Sequence, residues 1–322
     1  MPPTPNPPSE PTPNPPSEPT PHPPTVLVTG GNAGIGYFVS EQLAAAGATV
    51  VLGSRNQAKA EAALTSLRTR IPGARVQHIP LNLANHPSLR RTTEDLQARG
   101  IAHLDAVVHN AGVALDDPPR QETEDGNELM FGTNHLGHVA LTQCLAPLLR
   151  AAPAARVVTV GSFAARSERL DLNDLQSTRA YAPKRTYGRS KLAQMMFGFA
   201  LDLRLRAIGS TVQSLVAHPG GALDALTPSR PSIHTTTPGA RLRALPAALL
   251  VQGKEAGARP IVRAVLDPEA EGGQLWGPRV FGLRGAPRRE PVPPHMADQE
   301  VAARLWAASC ELTGTDPFLG FR

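Results

Sequence analysis

Thr25-Val-Leu-Val-Thr-Gly-Gly-Asn-Ala-Gly-Ile-Gly36 is the stretch that decides how this chain folds. A short β-branched apolar run ends in a glycine-rich turn, and a segment with helical periodicity over 35–46 follows at once. Glycines 30, 34 and 36 are spaced G-x3-G-x-G. Glycine permits a tight turn, lets backbone N–H groups close on a pyrophosphate, and lets the helix pack near the strand. The helix start adds unpaired N–H donors and a partial positive charge. Gly30, Asn32, Gly34, Ile35 and Gly36 are therefore candidate contacts to a dinucleotide. Alone, such a run is an ordinary glycine turn; its placement between an apolar strand and an amphipathic helix is what gives it weight.

The same alternation continues down the chain. Apolar, β-branched runs lie at 25–29, 49–52, 75–79, 106–109, 156–160 and 211–217, with helical patterns at 35–46, 58–70, 89–99, 127–149 and 187–207 between them. Strand, helix, strand at this spacing predicts right-handed crossovers. The expected fold class is α/β: a doubly wound parallel sheet with helices on both faces, in one domain over 25–322. A helix at 255–266, a short strand at 274–276 and a helix at 298–312 complete it. The stretch 221–253 is loop-rich and broken by prolines 228, 231, 238 and 246, and is expected to form a substrate lid. Residues 1–24 repeat Thr-Pro-Asn-Pro-Pro-Ser-Glu-Pro at 4–11 and 12–19. Proline fixes φ and lacks the backbone donor, so a disordered, partly polyproline-II tail is expected there. A ligand for a proline-binding module is its functional alternative.

Bulk properties exclude several classes. The formal charge is +5, but the basic residues are scattered in short pairs such as Arg90-Arg91 and Arg288-Arg289, so no nucleic-acid partner is expected. Cys144 and Cys310 are far apart and lack metal-ligand spacing, which argues against a disulfide framework and a zinc site. No apolar run reaches the length of about 18 residues that a membrane span needs. The N-terminus lacks a signal-peptide pattern, so a cytoplasmic location is the default expectation.

Strand C-termini in such sheets form the ligand crevice. The second strand runs into Leu52-Gly-Ser-Arg-Asn56, with no Asp or Glu between Val51 and Ala60 to hold a ribose 2′-hydroxyl. Arg55 can instead clamp a 2′-phosphate, which favours NADP(H) over NAD(H); solvated surface is its bland reading. Asn82 and Leu83 end the third strand, and Asn110-Ala-Gly112 follow the fourth. The Asn82 amide suits an adenine edge, and small Ala111 and Gly112 let backbone pass close to a cofactor; taken singly, each is a turn.

Tyr187 and Lys191 are four residues apart on a predicted helix, so their side chains share a face. A phenol titrates near 10; a fixed positive charge beside it lowers that value and readies it for general acid–base work. Ser162 ends the fifth strand, where its hydroxyl can support a substrate oxygen. Asn134, within a helical run, has two readings: it caps a local kink, or it holds a water relaying protons to Lys191.

Taken in order, Thr29-Gly-x3-Gly-x-Gly36, Asn110-Ala-Gly112, Asn134, Ser162, Tyr187-x3-Lys191 and Pro219-Gly220 resemble the short-chain dehydrogenase/reductase family over roughly 25–322. The resemblance implies a Rossmann fold and a tetrad of Asn134, Ser162, Tyr187 and Lys191. In it Tyr187 moves the proton, Lys191 holds the ribose and tunes Tyr187, Ser162 holds the substrate oxygen and Asn134 the relay water. It also implies cofactor contacts at Pro219 and Gly220 and a homo-oligomer. Tyr187-Gly-Arg-Ser-Lys-Leu-Ala193, His218-Pro-Gly220 and Leu305-Trp-Ala-Ala-Ser-Cys-Glu-Leu-Thr-Gly314 resemble retinol-dehydrogenase-like and protochlorophyllide-reductase-like members, which use NADP(H) and lipophilic alcohols or carbonyls. The 25-residue separation of Ser162 and Tyr187 (187 − 162) is long for the family. His109 stands where members often carry Asn, Asn82 where Asp is frequent, and Gly221-Ala222 where a Thr is common, so the nicotinamide-side contact is less defined than the tetrad. Met195, Met196 and Phe197 read as helix packing or an oligomer face. The expected activity is metal-free, reversible hydride transfer between NADP(H) and an alcohol or carbonyl small molecule. The competing reading is a dinucleotide-binding regulator or scaffold without turnover.

Overall fold

The computed structural model describes residues 23–321, so all but the last two residues of the expected tail at 1–24 lie outside the described residues. Strand β1 (Thr25–Thr29) leads into helix α1 (Gly34–Ala45), then β2 (Thr49–Ser54), α2 (Gln57–Arg70), β3 (Val76–Pro80), α3 (His86–Ala98) and β4 (Ala106–His109). A short helix α4 (Leu129–Phe131) precedes α5 (Gly137–Arg150), followed by β5 (Arg156–Val160), α6 (Pro183–Ala207) and β6 (Gln213–Ala217). Helices α7 (Pro238–Ala244) and α8 (Lys254–Leu266), strands β7 (Leu275–Val280) and β8 (Arg284–Glu290), and helix α9 (Gln299–Thr313) complete the chain. The sheet order is β3-β2-β1-β4-β5-β6-β7-β8; β7 and β8 pair antiparallel and every other pair is parallel. The expected doubly wound fold is therefore present, and its strand order reverses between β1 and β4, where such sheets open a crevice.

Side-chain alternation explains the two layers. Val26 and Val28 of β1 pack on one face with Phe38 and Leu43 of α1 and Ile261 of α8. Leu27 packs on the other with Leu89 of α3, Leu141 and Leu145 of α5 and Phe197 of α6. Each such fully buried side chain contributes about 1.5–3 kcal/mol of transfer free energy. Met195, Met196 and Phe197 are all buried, and Phe197 stacks on Trp306 of α9 at 5.3 Å, so these residues are core rather than an oligomer face. Cys144 and Cys310 are unpaired and pack against the same core.

Four local departures from the sequence reading have physical causes. Helix α6 begins at Pro183, a turn before the expected 187, because proline suits the first helical position, where no N–H is needed. The expected helix over 127–149 is interrupted by a π-helical turn at Gly132–Leu136. Strand β8 was not anticipated; it carries Pro287 and four arginine or glutamate residues, a composition tolerated only at a sheet edge. The stretch 221–253 holds α7 and two 3-10 turns, and is pinned to α1 by Arg230, whose guanidinium donates to both carboxylate oxygens of Glu41 at 2.9 Å.

Candidate functional site

A crevice of about 640 Å³ opens at the C-terminal ends of β1, β2, β4 and β5. Of the residues singled out in the sequence, all but Asn134 and Gly220 line it. At one end, the α1 N-terminus has no side-chain cap: Ala33 occupies the cap position in an extended conformation. Its first N–H groups thus lack a side-chain partner and form a ready anion site. Gly36 is required by close approach, since a Cβ there would lie 2.3 Å from the Gly30 carbonyl oxygen and 2.4 Å from Asn110 Nδ2. That cradle is closed by Asn110, whose amide donates to the Thr29 carbonyl at 2.8 Å, and whose backbone N–H donates to Thr29 Oγ1 at 2.9 Å. Asn110 therefore ties the glycine turn to β4. Asn82 forms a local turn in which its Oδ1 accepts from the Ala84 N–H at 3.2 Å. These features fit a dinucleotide: uncapped donors for the pyrophosphate, a cradle that one methyl group would fill, and cations beyond β2.

Those cations are Arg55 and Lys59, both lining the crevice. Lys59 sits in the first turn of α2 behind the Asn56 cap, whose Oδ1 accepts from the Lys59 N–H at 2.9 Å. A lysine opening a helix opposes the macrodipole, which was the available signal for Lys59. The same signal marks Lys254 at the start of α8, which lines the crevice beside Pro219 and forms an ion pair with Asp224.

At the other end, α6 presents Tyr187 and Lys191 on one face toward the crevice, with Ser162 at the end of β5 beside them. Burial pushes the Tyr187 phenol above its usual range, and a hydrogen bond with Ser162 pulls it partly back. The direction is opposite to the expected lowering by Lys191. No lowering by Lys191 offsets the burial: Lys191 is 4% exposed, and its ammonium donates to the Val160 carbonyl at 2.6 Å and to Gln194 Oε1 at 2.5 Å. Burial brings Lys191 down from 10.5 to about 7.

Asn134 is fully buried on the π-helical turn. Its Oδ1 accepts from the Val113 N–H at 2.7 Å, and its Nδ2 donates to the Val113 carbonyl at 3.0 Å and to Ser190 Oγ at 2.9 Å. The side chain thus clamps the loop after β4 to α6 and does not reach Lys191. Its backbone carbonyl meets His138 Nδ1 at 3.0 Å. His138 in turn lies 3.2 Å from the Gln194 amide nitrogen, which donates to the His109 carbonyl at 3.0 Å. Burial holds the His138 imidazole near 3, so it is neutral, with Nδ1–H donating to Asn134 and Nε2 facing Thr29 Oγ1 at 3.0 Å. Gln194 is the residue that joins Lys191 to the His109 carbonyl at the end of β4, and it was missed because a glutamine on a helix has no spacing signature.

Pro219 and Gly220 follow β6. Gly220 needs its left-handed φ of 70°, and a Cβ there would meet the Leu283 carbonyl oxygen at 2.5 Å. The turn is braced by His218, whose Nδ1 accepts from the Gly220 N–H at 3.2 Å. That leaves Nε2 to donate to Glu290 at 3.2 Å, and Glu290 also pairs with Arg166 just past Ser162. Glu290 sits on the unanticipated strand β8, so this brace was invisible beforehand.

Comparison with known proteins agrees with the geometry. The chain matches the short chain dehydrogenase family over residues 24–222. It is 38% identical over 292 residues to polyprenol dehydrogenase of Mus musculus, covering 89% of this chain and 83% of the relative. It is 35% identical over 293 residues to retinol dehydrogenase 13 of Homo sapiens, covering 91% and 85% respectively. A solved structure from Mycobacterium paratuberculosis superposes with a TM-score of 0.72 at 34% identity, covering 91% of this chain and 94% of that one. The NADP complex of Pseudomonas aeruginosa RhlG superposes with a TM-score of 0.59 at 27% identity, covering 78% and 93%. No helix among the described residues is long and apolar enough to cross a membrane. The chain belongs to the short-chain dehydrogenase/reductase family, in its retinol-dehydrogenase-like branch, and is an enzyme of the oxidoreductase class.

Proposed function

We propose that the protein catalyses reversible hydride transfer between NADP(H) and a lipophilic alcohol or carbonyl compound, with Tyr187 as the proton-transfer group. The observation that carries this reading is the convergence of Tyr187, Ser162 and Lys191 on one crevice with the glycine turn and Arg55. The α1 N-terminus, Asn110 and the Pro219 turn would hold the dinucleotide, which would supply or accept the hydride when bound. Tyr187 gives its proton to the substrate oxygen in reduction and takes it back in oxidation. Ser162 donates a hydrogen bond to the same oxygen as charge develops there. Lys191 faces the place the ribose would take, with its ammonium held by the Val160 carbonyl and Gln194. The names of the polyprenol and retinol dehydrogenases support an apolar alcohol or its carbonyl as the substrate class.

The NADP(H) preference rests on Arg55, with Lys59 beside it, and on the lack of any acidic residue from 51 to 60. Removing one charge-assisted contact to a phosphate costs about 1.5–3 kcal/mol, roughly 10- to 150-fold in affinity. Arg55→Ala is therefore expected to weaken NADPH by that factor while leaving NADH nearly unchanged, read by nucleotide fluorescence titration. Equal losses for both nucleotides sink the 2′-phosphate assignment. Activity itself is tested by following NADPH oxidation across a panel of apolar aldehydes and ketones. Wild-type protein that binds NADPH yet turns over none of them favours the regulator reading.

A further inference from the structure

The segment that packs beside the crevice carries an unpartnered apolar ledge. The backbone is helical from Pro238 through Leu249, since Leu245, between α7 and the following 3-10 turn, keeps helical dihedrals. Leu242, Leu245 and Leu249 recur at spacings of three and four residues and so share a face, with Leu250 next in sequence. These four leucines are 53–75% exposed. Two hydrogen bonds hold the ledge against the β7–β8 hairpin: Arg284 donates to the Ala248 carbonyl, and the Gly285 N–H donates to Gln252 Oε1 at 3.0 Å. At the hairpin tip Phe281 is 76% exposed and Val280 is 41% exposed. Large apolar side chains clustered in this way on a surface mark a binding face.

The charges around the ledge are of one sign. Arg241 and Arg243 are exposed on α7, with no acidic partner among the described residues, and Arg279 is exposed beside the hairpin tip. No Asp or Glu occurs from 225 to 254 or from 272 to 289. The acidic residues that flank the ledge are engaged elsewhere: Asp224 pairs with Lys254, and Glu255 with Arg230. Leucines interleaved with arginines, with no carboxylate among them, match an interface that is apolar below and anionic above. A second copy of this chain is a poor occupant, because a two-fold contact would set arginines against arginines.

We propose that the ledge at 241–250, together with the Val280-Phe281 tip, docks the enzyme on an anionic lipid surface. The leucines and Phe281 enter the headgroup region and Arg241, Arg243 and Arg279 meet the lipid phosphates. The ledge lies in the chain between Pro219 and Lys254, both of which line the crevice, so docking sets the crevice beside the bilayer. The docking does not depend on the reaction proposed above, and its test measures no turnover.

Purified full-length protein is sedimented with phosphatidylcholine vesicles and with mixed phosphatidylcholine–phosphatidylglycerol vesicles. Wild type is expected to pellet with the mixed vesicles and to stay in solution with phosphatidylcholine alone. The double variant Arg241→Glu/Arg243→Glu is expected to lower partitioning at least tenfold, as is Leu245→Ser/Leu249→Ser. All four side chains are exposed, so circular dichroism and melting of the variants should match wild type. Reversing Arg90 and Arg91, exposed on α3, is expected to leave partitioning unchanged. The proposal is overturned if wild type ignores anionic vesicles, or if the α3 reversal weakens binding as much as the ledge reversal. It is also overturned if sedimentation without lipid shows a dimer that the leucine variant dissolves, which assigns the ledge to a second copy.

Discussion

Tyr187→Phe is expected to cut turnover by about 10²–10⁴-fold while leaving NADPH affinity within a factor of about two. The phenol oxygen is the only group lost. The ring's burial predicts a direction for the pH dependence as well. Burial holds Tyr187 above its ordinary value, so the phenol is protonated across neutral pH and ready to donate. Carbonyl reduction by wild type should therefore be flat through neutral pH and fall on the alkaline side, where the donor is lost. Alcohol oxidation needs the phenolate, so its kcat/KM should climb over the same alkaline range. The residual activity of Tyr187→Phe should show neither limb. A variant that retains activity within tenfold of wild type, with both limbs intact, removes Tyr187 from the proton path and moves that role to another group.

Much of this site was legible in the sequence because it is built from short-range patterns. The glycine turn, Arg55, Asn110, Ser162 and the Tyr187–Lys191 pair each sit at a strand end or on one helix face, and the βαβ alternation places those ends together. What could not be read depends on contacts between residues far apart in the chain. Lys191 points to Val160 and Gln194 rather than leaving its charge toward Tyr187, and only the packing of α6 on β5 decides that. Asn134 sits on a π-helical turn, which no spacing predicts, and its amide is consumed by Val113 and Ser190. Strand β8 has no β-branched residue and is held by an edge pairing with β7, so its Glu290, bracing His218 behind Gly220, had no local signature. Arg230 is spaced 189 residues from its partner Glu41, and the order it imposes on 221–253 is likewise non-local.

Lys191→Met should make the cofactor-free protein more stable even as it removes activity. Lys191 is wholly buried, and its ammonium has two acceptors but no carboxylate, so burying the charge is costly. Its folded value of about 7 lies below the ordinary 10.5, a difference of on the order of 5 kcal/mol. The sign follows from proton counts. Between these two values the unfolded chain holds a proton that the folded chain has released, so stability rises with pH. The burial cost is thus fully present below pH 7 and fades as pH approaches 10.5. Methionine has a similar length and no charge, but leaves the Val160 carbonyl and Gln194 Oε1 without their donor, at about 1 kcal/mol each. The net expectation is a gain of about 2–3 kcal/mol below pH 7 that shrinks toward zero or reverses near pH 10.5. Denaturant midpoints of both proteins at the two ends of that range measure it. A variant less stable than wild type at low pH, or a gap that widens as pH rises, shows that the lysine is held at no cost. The expected outcome has a mechanistic meaning. A lysine that destabilises the empty fold is relieved when a bound dinucleotide supplies phosphate charge and ribose acceptors, so NADPH should raise wild-type stability more than that of Lys191→Met, by an amount that also shrinks with rising pH.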